Sequence, residues 1–134
     1  MNPEQFLKDI TVFNDLILIA KKEGIISEVR GKFSVEQGKE WLTIKNDGCR
    51  CHIHLKPDEI SHAKFIQNRS KEGREMFSIE ILNKNEELIL KASFPTQSAL
   101  EESKTSFEKI KKKYCDLNNG GGIVKFIQQK GIEV

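Results

Sequence analysis

Apolar residues at Phe6, Ile10, Phe13, Ile17 and Ala20 recur at spacings of three and four, which puts them on one face of a helix. Asn2-Pro3-Glu4-Gln5 supplies a start: Asn2 caps, Pro3 suits the first helical position and Gln5 lies three residues after the cap. Lys21 and Lys22 suit the negative end of the helix dipole, and Gly24 is a natural stop, so the pattern predicts one N-terminal helix running up to Gly24. From Ile25 the period falls to two. It predicts strands over 25–29, 32–36, 40–45 and 49–56, with turns at Gln37-Gly38 and Asn46-Asp47-Gly48. Pro57 interrupts the ladder, 60–67 resumes it, and 68–73 is a polar loop. Residues 76–82 and 87–94 read as a hairpin around Asn83-Lys84-Asn85-Glu86.

Beyond Pro95 the period returns to that of a helix. Ser98 and Glu101 have the form of a capping box, and Leu100, Ser103, Phe107, Ile110 and Tyr114 fall on one stripe. Asn118-Asn119-Gly120-Gly121-Gly122 ends it as a flexible link, and 123–129 predicts a last turn or two of helix. The sum is an α+β fold: an antiparallel, meandering sheet flanked by N-terminal and C-terminal helices packed on one face.

The chain has 134 residues, the size of one domain over 1–134, with 37% hydrophobic and 31% charged residues. Its 22 basic and 20 acidic residues leave a net charge of +2, too even for a dedicated nucleic-acid binder. The run Lys111-Lys112-Lys113 reads as the solvated, dipole-favoured end of a helix. Three cysteines, Cys49, Cys51 and Cys115, are an odd count that argues against a disulfide framework, and Cys49 and Cys51 are poorly placed to bridge along one strand. No stretch is long and apolar enough for membrane insertion, and the N-terminus lacks the pattern of a secretion signal. The expectation is a cytoplasmic protein with free thiols.

The chemistry concentrates in Arg50-Cys51-His52-Ile53-His54-Leu55-Lys56. Alternation sends Cys51, Ile53 and Leu55 one way and Arg50, His52 and His54 the other, the two imidazoles about 6–7 Å apart at their Cα atoms. Imidazole is the side chain most used to hold a metal or heme iron, and two of the three histidines sit here. Catalytic arrangements are otherwise missing: there is no nucleophile elbow, glycine-rich phosphate loop or His-Glu-x-x-His helix. Gly120-Gly121-Gly122 follows a helix instead of opening one, Cys115 at a helix end is expected to be inert, and Tyr114 on the apolar stripe reads as core.

Three further stretches are informative in combination: Trp41-Leu42-Thr43-Ile44-Lys45-Asn46, then His54-Leu55-Lys56-Pro57-Asp58-Glu59-Ile60, then Gly73-Arg74-Glu75-Met76-Phe77-Ser78-Ile79 followed by 83–90. In order and spacing, from Trp41 to Tyr114, they resemble the bacterial heme-utilisation proteins of the HutX/ChuX and HemS types. His54-Leu55-Lys56 is similar to that family's His-Leu-Arg element, with lysine in place of arginine, and Gly73-Arg74-Glu75 to its Gly-Arg-Glu hairpin. The resemblance implies a helix-flanked antiparallel sheet, often a homodimer, that binds heme for storage, delivery or degradation. His54 is then the preferred axial ligand and His52 the alternate, with Arg74 and Lys56, and also Arg50 and Arg69, as partners of the propionates. Phe65, Met76, Phe77 and Phe94 are candidates to line the slot.

Two other readings stay open: a bare transition-metal site made by His52 and His54 with Cys49 or His62, and a non-catalytic interaction or dimerisation module without heme. A carrier or buffer is favoured over an enzyme because heme degradation needs a reductant, and no flavin or nicotinamide motif is present.

Overall fold

The computed structural model describes residues 2–46, 48, 50–115 and 122–126. Helix α1 spans Pro3–Ile10 and opens as its sequence predicts, the Asn2 side-chain oxygen accepting the Glu4 N–H at 2.8 Å. It ends far earlier than Gly24. Thr11 turns its hydroxyl back onto the Leu7 carbonyl at 2.9 Å, and Leu16–Lys22 form strand β1. Leu16-Ile17-Leu18-Ile19 is apolar at every position, and such a run satisfies helical spacing by accident. Tertiary pairing decides: β1 is laddered on both sides, by β2 (Ile25–Gly31) and by β8 (Leu88–Phe94). Lys22 pairs with Ile25, so the β1–β2 hairpin turns on two residues, with Gly24 at φ 80°.

At Gly31 the chain leaves this sheet for a second one, made of β3 (Phe33–Gln37), β4 (Leu42–Asn46) and β5 (Cys51–Leu55). Gly31 has φ 144° and packs so close to Asn46 that a Cβ there would lie 2.8 Å from its side-chain nitrogen. A single 3-10 turn at Pro57–Glu59 leads back into β6 (His62–Arg69), β7 (Glu75–Leu82) and then β8. Helix α2 (Leu100–Cys115) follows, and β9 (Ile123–Lys125) closes the described chain. The large sheet runs β2-β1-β8-β7-β6-β9 and the small one β3-β4-β5, every pairing antiparallel. The expected α+β architecture with flanking helices is present, but the meander is divided into two sheets. Ile123–Lys125 is a strand on the free edge of β6, not a helical turn: three residues alternating exposed, buried, exposed suit an edge ladder. Residues 127–129 of that expectation lie outside the described residues.

One apolar core joins both sheets and both helices. Phe107 of α2 meets Phe65, Phe77 and Phe94 with ring centroids 5.6, 5.2 and 5.9 Å apart, and Phe6 of α1 meets Tyr114 and Phe126 at 4.8 and 5.2 Å. The α2 stripe is buried as its sequence predicts, through Ser103, Phe107, Ile110 and Tyr114. Among the described residues no helix is long and apolar enough to cross a membrane.

Candidate functional site

The small sheet has an inner and an outer face. Leu42 and Ile44 of β4 and Leu55 of β5 are buried in the core, so Thr43, Lys45, His52 and His54 must face outward. Thr43 pairs with His54 across the ladder and Lys45 with His52. The outward alternation of the two histidines is therefore as the sequence predicts, and both are exposed. The β3–β4 connection is closed by the Gly38 N–H donating to the Trp41 carbonyl at 2.8 Å. Trp41 precedes buried Leu42 at the start of β4, and the residue is 42% exposed, unusual for so large an apolar side chain.

These residues meet. Thr43 Oγ1 and His54 Nδ1 are hydrogen-bonded at 3.0 Å. The Trp41 and His54 rings stand edge to face with centroids 6.4 Å apart, and the His52 and His54 rings do the same at 6.1 Å. Lys56 Nζ lies 5.0 Å from the Trp41 ring centroid in a cation–π contact. Beside His54 is an open cavity of about 760 Å³ lined by Gly38, Lys39, Glu40, Trp41, Thr43 and His54. Lys45 is paired to Glu36 at 2.9 Å across the same face. The arrangement offers an imidazole with one anchored nitrogen, an exposed aromatic plane and a nearby cation: a surface for a flat, electron-rich, anionic molecule.

The other expected contributors lie elsewhere. Arg50 is in the turn before β5 with φ 58°, so strand alternation does not place it on the histidine face. The expectation of free thiols is corrected at Cys51, which is disulfide-bonded, while Cys115 is buried at the end of α2. Arg69 ends β6 and donates to the Gly73 carbonyl at 2.8 Å, and half-buried Arg74 lies 3.9 Å from Glu72, both on the hairpin of the large sheet. Phe65, Phe77 and Phe94 do not line the slot: they are core residues pinned against Phe107, and Met76 is half-buried on β7, where Thr96 donates to its sulfur at 3.8 Å. His62 is also away from the pair, buried in β6 with Nε2 at 2.5 Å from Glu86 and Nδ1 at 3.0 Å from Ser61 Oγ. Among the described residues no group of three or more His, Cys, Asp or Glu side chains is placed to hold a metal. The reading with His62 is thereby corrected, and Cys49 lies outside the described residues.

Sequence reasoning missed Trp41 and Thr43 as neighbours of His54. The signal for Trp41 was its parity with Thr43 and Lys45; that for Thr43 depends on the β4–β5 register. A larger cavity, about 1040 Å³, opens between α2 and the segment after α1, lined in part by Val12, Phe13, Asp15, Ala99, Lys109 and Ile110; it holds no histidine. At its rim Asp9 accepts from Lys113 at 2.7 Å and from the Tyr114 hydroxyl. Burial, then the bond to Asp9, pushes the Tyr114 phenol up and keeps it neutral, which agrees with its reading as core.

A family model described as "-like:-like" matches residues 4–119. No curated protein matches the chain. Among solved structures it is similar to the heme binding protein ChuX, with a TM-score of 0.70 and 18% identity over 81% of this chain and 70% of that one. It is also similar to apo-PhuS, a heme-binding protein from Pseudomonas aeruginosa (TM-score 0.64, 15% identity, 78% of this chain and 31% of that one). A third likeness is to ChuS, an E. coli heme oxygenase (TM-score 0.61, 17% identity, 80% and 32%). The chain thus spans about a third of the length of PhuS and ChuS. At these identities the likeness establishes a common fold.

Proposed function

Because the chain belongs to the family whose model covers residues 4–119 and is ChuX/HemS-like in fold, we propose that it binds heme reversibly, as a carrier or buffer in heme and iron utilisation. The observation that supports this most is the meeting of His54, Thr43, Trp41 and Lys56 at one open cavity. Heme asks a protein for a base for its iron, an apolar surface for the macrocycle and cations for the propionates. When the His54 Nδ1–H donates to Thr43, the lone pair is left on Nε2 for iron. Trp41 offers its plane to the porphyrin, and Lys56 offers positive charge to a propionate. His52 is the alternate ligand.

In this reading the protein is one domain over 1–134 acting as a homodimer in the cytoplasm, and Arg69 and Arg74, carried on the other sheet, serve a heme held across the dimer. The test is a hemin titration followed at the Soret band. Stoichiometric binding is expected, weakened at least tenfold by His54→Ala and much less by His52→Ala. Binding no tighter than to an unrelated protein, or a Soret band indifferent to both substitutions, would overturn it. Bleaching of the bound hemin under ascorbate, with release of iron, would move the role from carrier to degradation.

A further inference from the structure

We propose that His52 and His54 form a chelating site for a divalent d-block cation of borderline softness, zinc(II) or nickel(II), with water completing its coordination. This does not rest on the heme reading; it needs only the two imidazoles. They stand two residues apart on the exposed face of β5, with ring centroids 6.1 Å apart and planes at 81°. With metal–nitrogen bonds of about 2.0–2.1 Å, one ion held by two imidazoles at a tetrahedral or right angle requires their centroids roughly 4.5–5 Å apart. The pair stands about an ångström wider than that, a gap that χ rotation of two exposed side chains closes.

Three surroundings favour the ion. Thr43 Oγ1 holds His54 Nδ1 at 3.0 Å, the kind of outer contact that fixes a tautomer and presents Nε2 to a metal. Lys45, opposite His52, is paired with Glu36 at 2.9 Å, which offsets its positive charge. Both imidazoles are exposed, so an ion keeps its waters on the solvent side. Two exposed imidazoles with water in the remaining positions make an open, exchangeable site, unlike a closed structural zinc site. His62 takes no part, since its ring nitrogens meet Glu86 and Ser61 on the other sheet.

Chelation occupies the same nitrogen that the proposed function assigns to iron, so a divalent ion and hemin compete for His54. The experiment is calorimetric titration of the full chain with zinc(II) and with nickel(II), without hemin. One ion per chain is expected, with affinity lowered at least tenfold by His52→Ala and equally by His54→Ala, and about tenfold by Thr43→Val. Circular dichroism of each variant checks that it is folded; the substituted side chains lie on the outer face, and folding is expected to be unchanged. Affinity within threefold of wild type in either histidine variant overturns the chelate, as does an absence of metal binding. Failure of hemin to bind leaves these outcomes unaltered, and failure of metal to bind leaves the Soret titration unaltered, so the two readings fall separately.

Discussion

Asp9 shows what a single carboxylate does for this molecule. It sits on α1 and accepts from Gln5 on its own helix and from Lys113 and Tyr114 on α2, tying the two helices together. Burial is the largest influence on its carboxyl and pushes the pKa up. The bonds from Lys113, Tyr114 and Gln5, with the charge of Lys113, outweigh it, and the pKa ends below the ordinary 3.8. A lowered carboxylate pKa stabilises the fold at pH values above the unfolded one and ceases to do so as the pH falls through the folded one. Asp9→Asn should therefore cost about 1–2 kcal/mol at neutral pH, seen in urea denaturation, and the gap to wild type should narrow below about pH 4. A gap that is constant with pH would mean that the carboxylate charge contributes nothing. At the same scale, Thr43 should matter to hemin through His54: Thr43→Val is expected to weaken binding about tenfold without lowering the melting temperature by more than a degree or two, a separation that a merely structural threonine would not give.

Elements were legible where pattern and pairing agree. The α2 stripe was readable because a 16-residue helix has enough turns for its period to be unmistakable, and Phe107 lands at its centre against three aromatic rings. Phe107→Ala should cost about 3–5 kcal/mol, since the cavity it leaves is walled by Phe65, Phe77 and Phe94 from three different strands that cannot all move in. Thermal denaturation would show it; a loss below about 1 kcal/mol would mean that α2 is not docked through this ring. The 16–22 segment was misread as helix for the opposite reason. Its apolar run fits both periods, and only ladders to β2 and β8, remote in sequence, select the strand. The β4–β5 register was illegible too. Asn46 pairs with Cys51, so Thr43 meets His54; a turn two residues shorter would have set Thr43 opposite His52 and moved the anchored imidazole along the strand. The faces of the two histidines followed from alternation alone, whereas the partner that orients one of them required the length of a turn.

At the scale of the whole molecule, β2 is one of the edge strands among the described residues. β2 is laddered only to β1, is exposed along most of its length, and begins with Ile25 and Ile26 at 67% and 59% exposure. An edge of this kind is a template for another strand, and the proposed homodimer most economically uses it: a two-fold axis would set β2 antiparallel to its copy, join two six-stranded sheets and cover the isoleucines. Ile26→Lys places two charges about the axis, so sedimentation should show wild type as a dimer and the variant as a monomer at the same concentration. The hemin outcome then tells what the dimer is for. If Arg69 and Arg74 reach heme from the second protomer, the monomeric variant should lose affinity together with Arg74→Ala; if Lys56 supplies the charge within one protomer, Ile26→Lys should bind hemin as wild type does. A wild-type monomer at high concentration would remove the dimer, and with it the role of the two arginines, while leaving His54, Trp41 and Lys56 to be tested within a single chain.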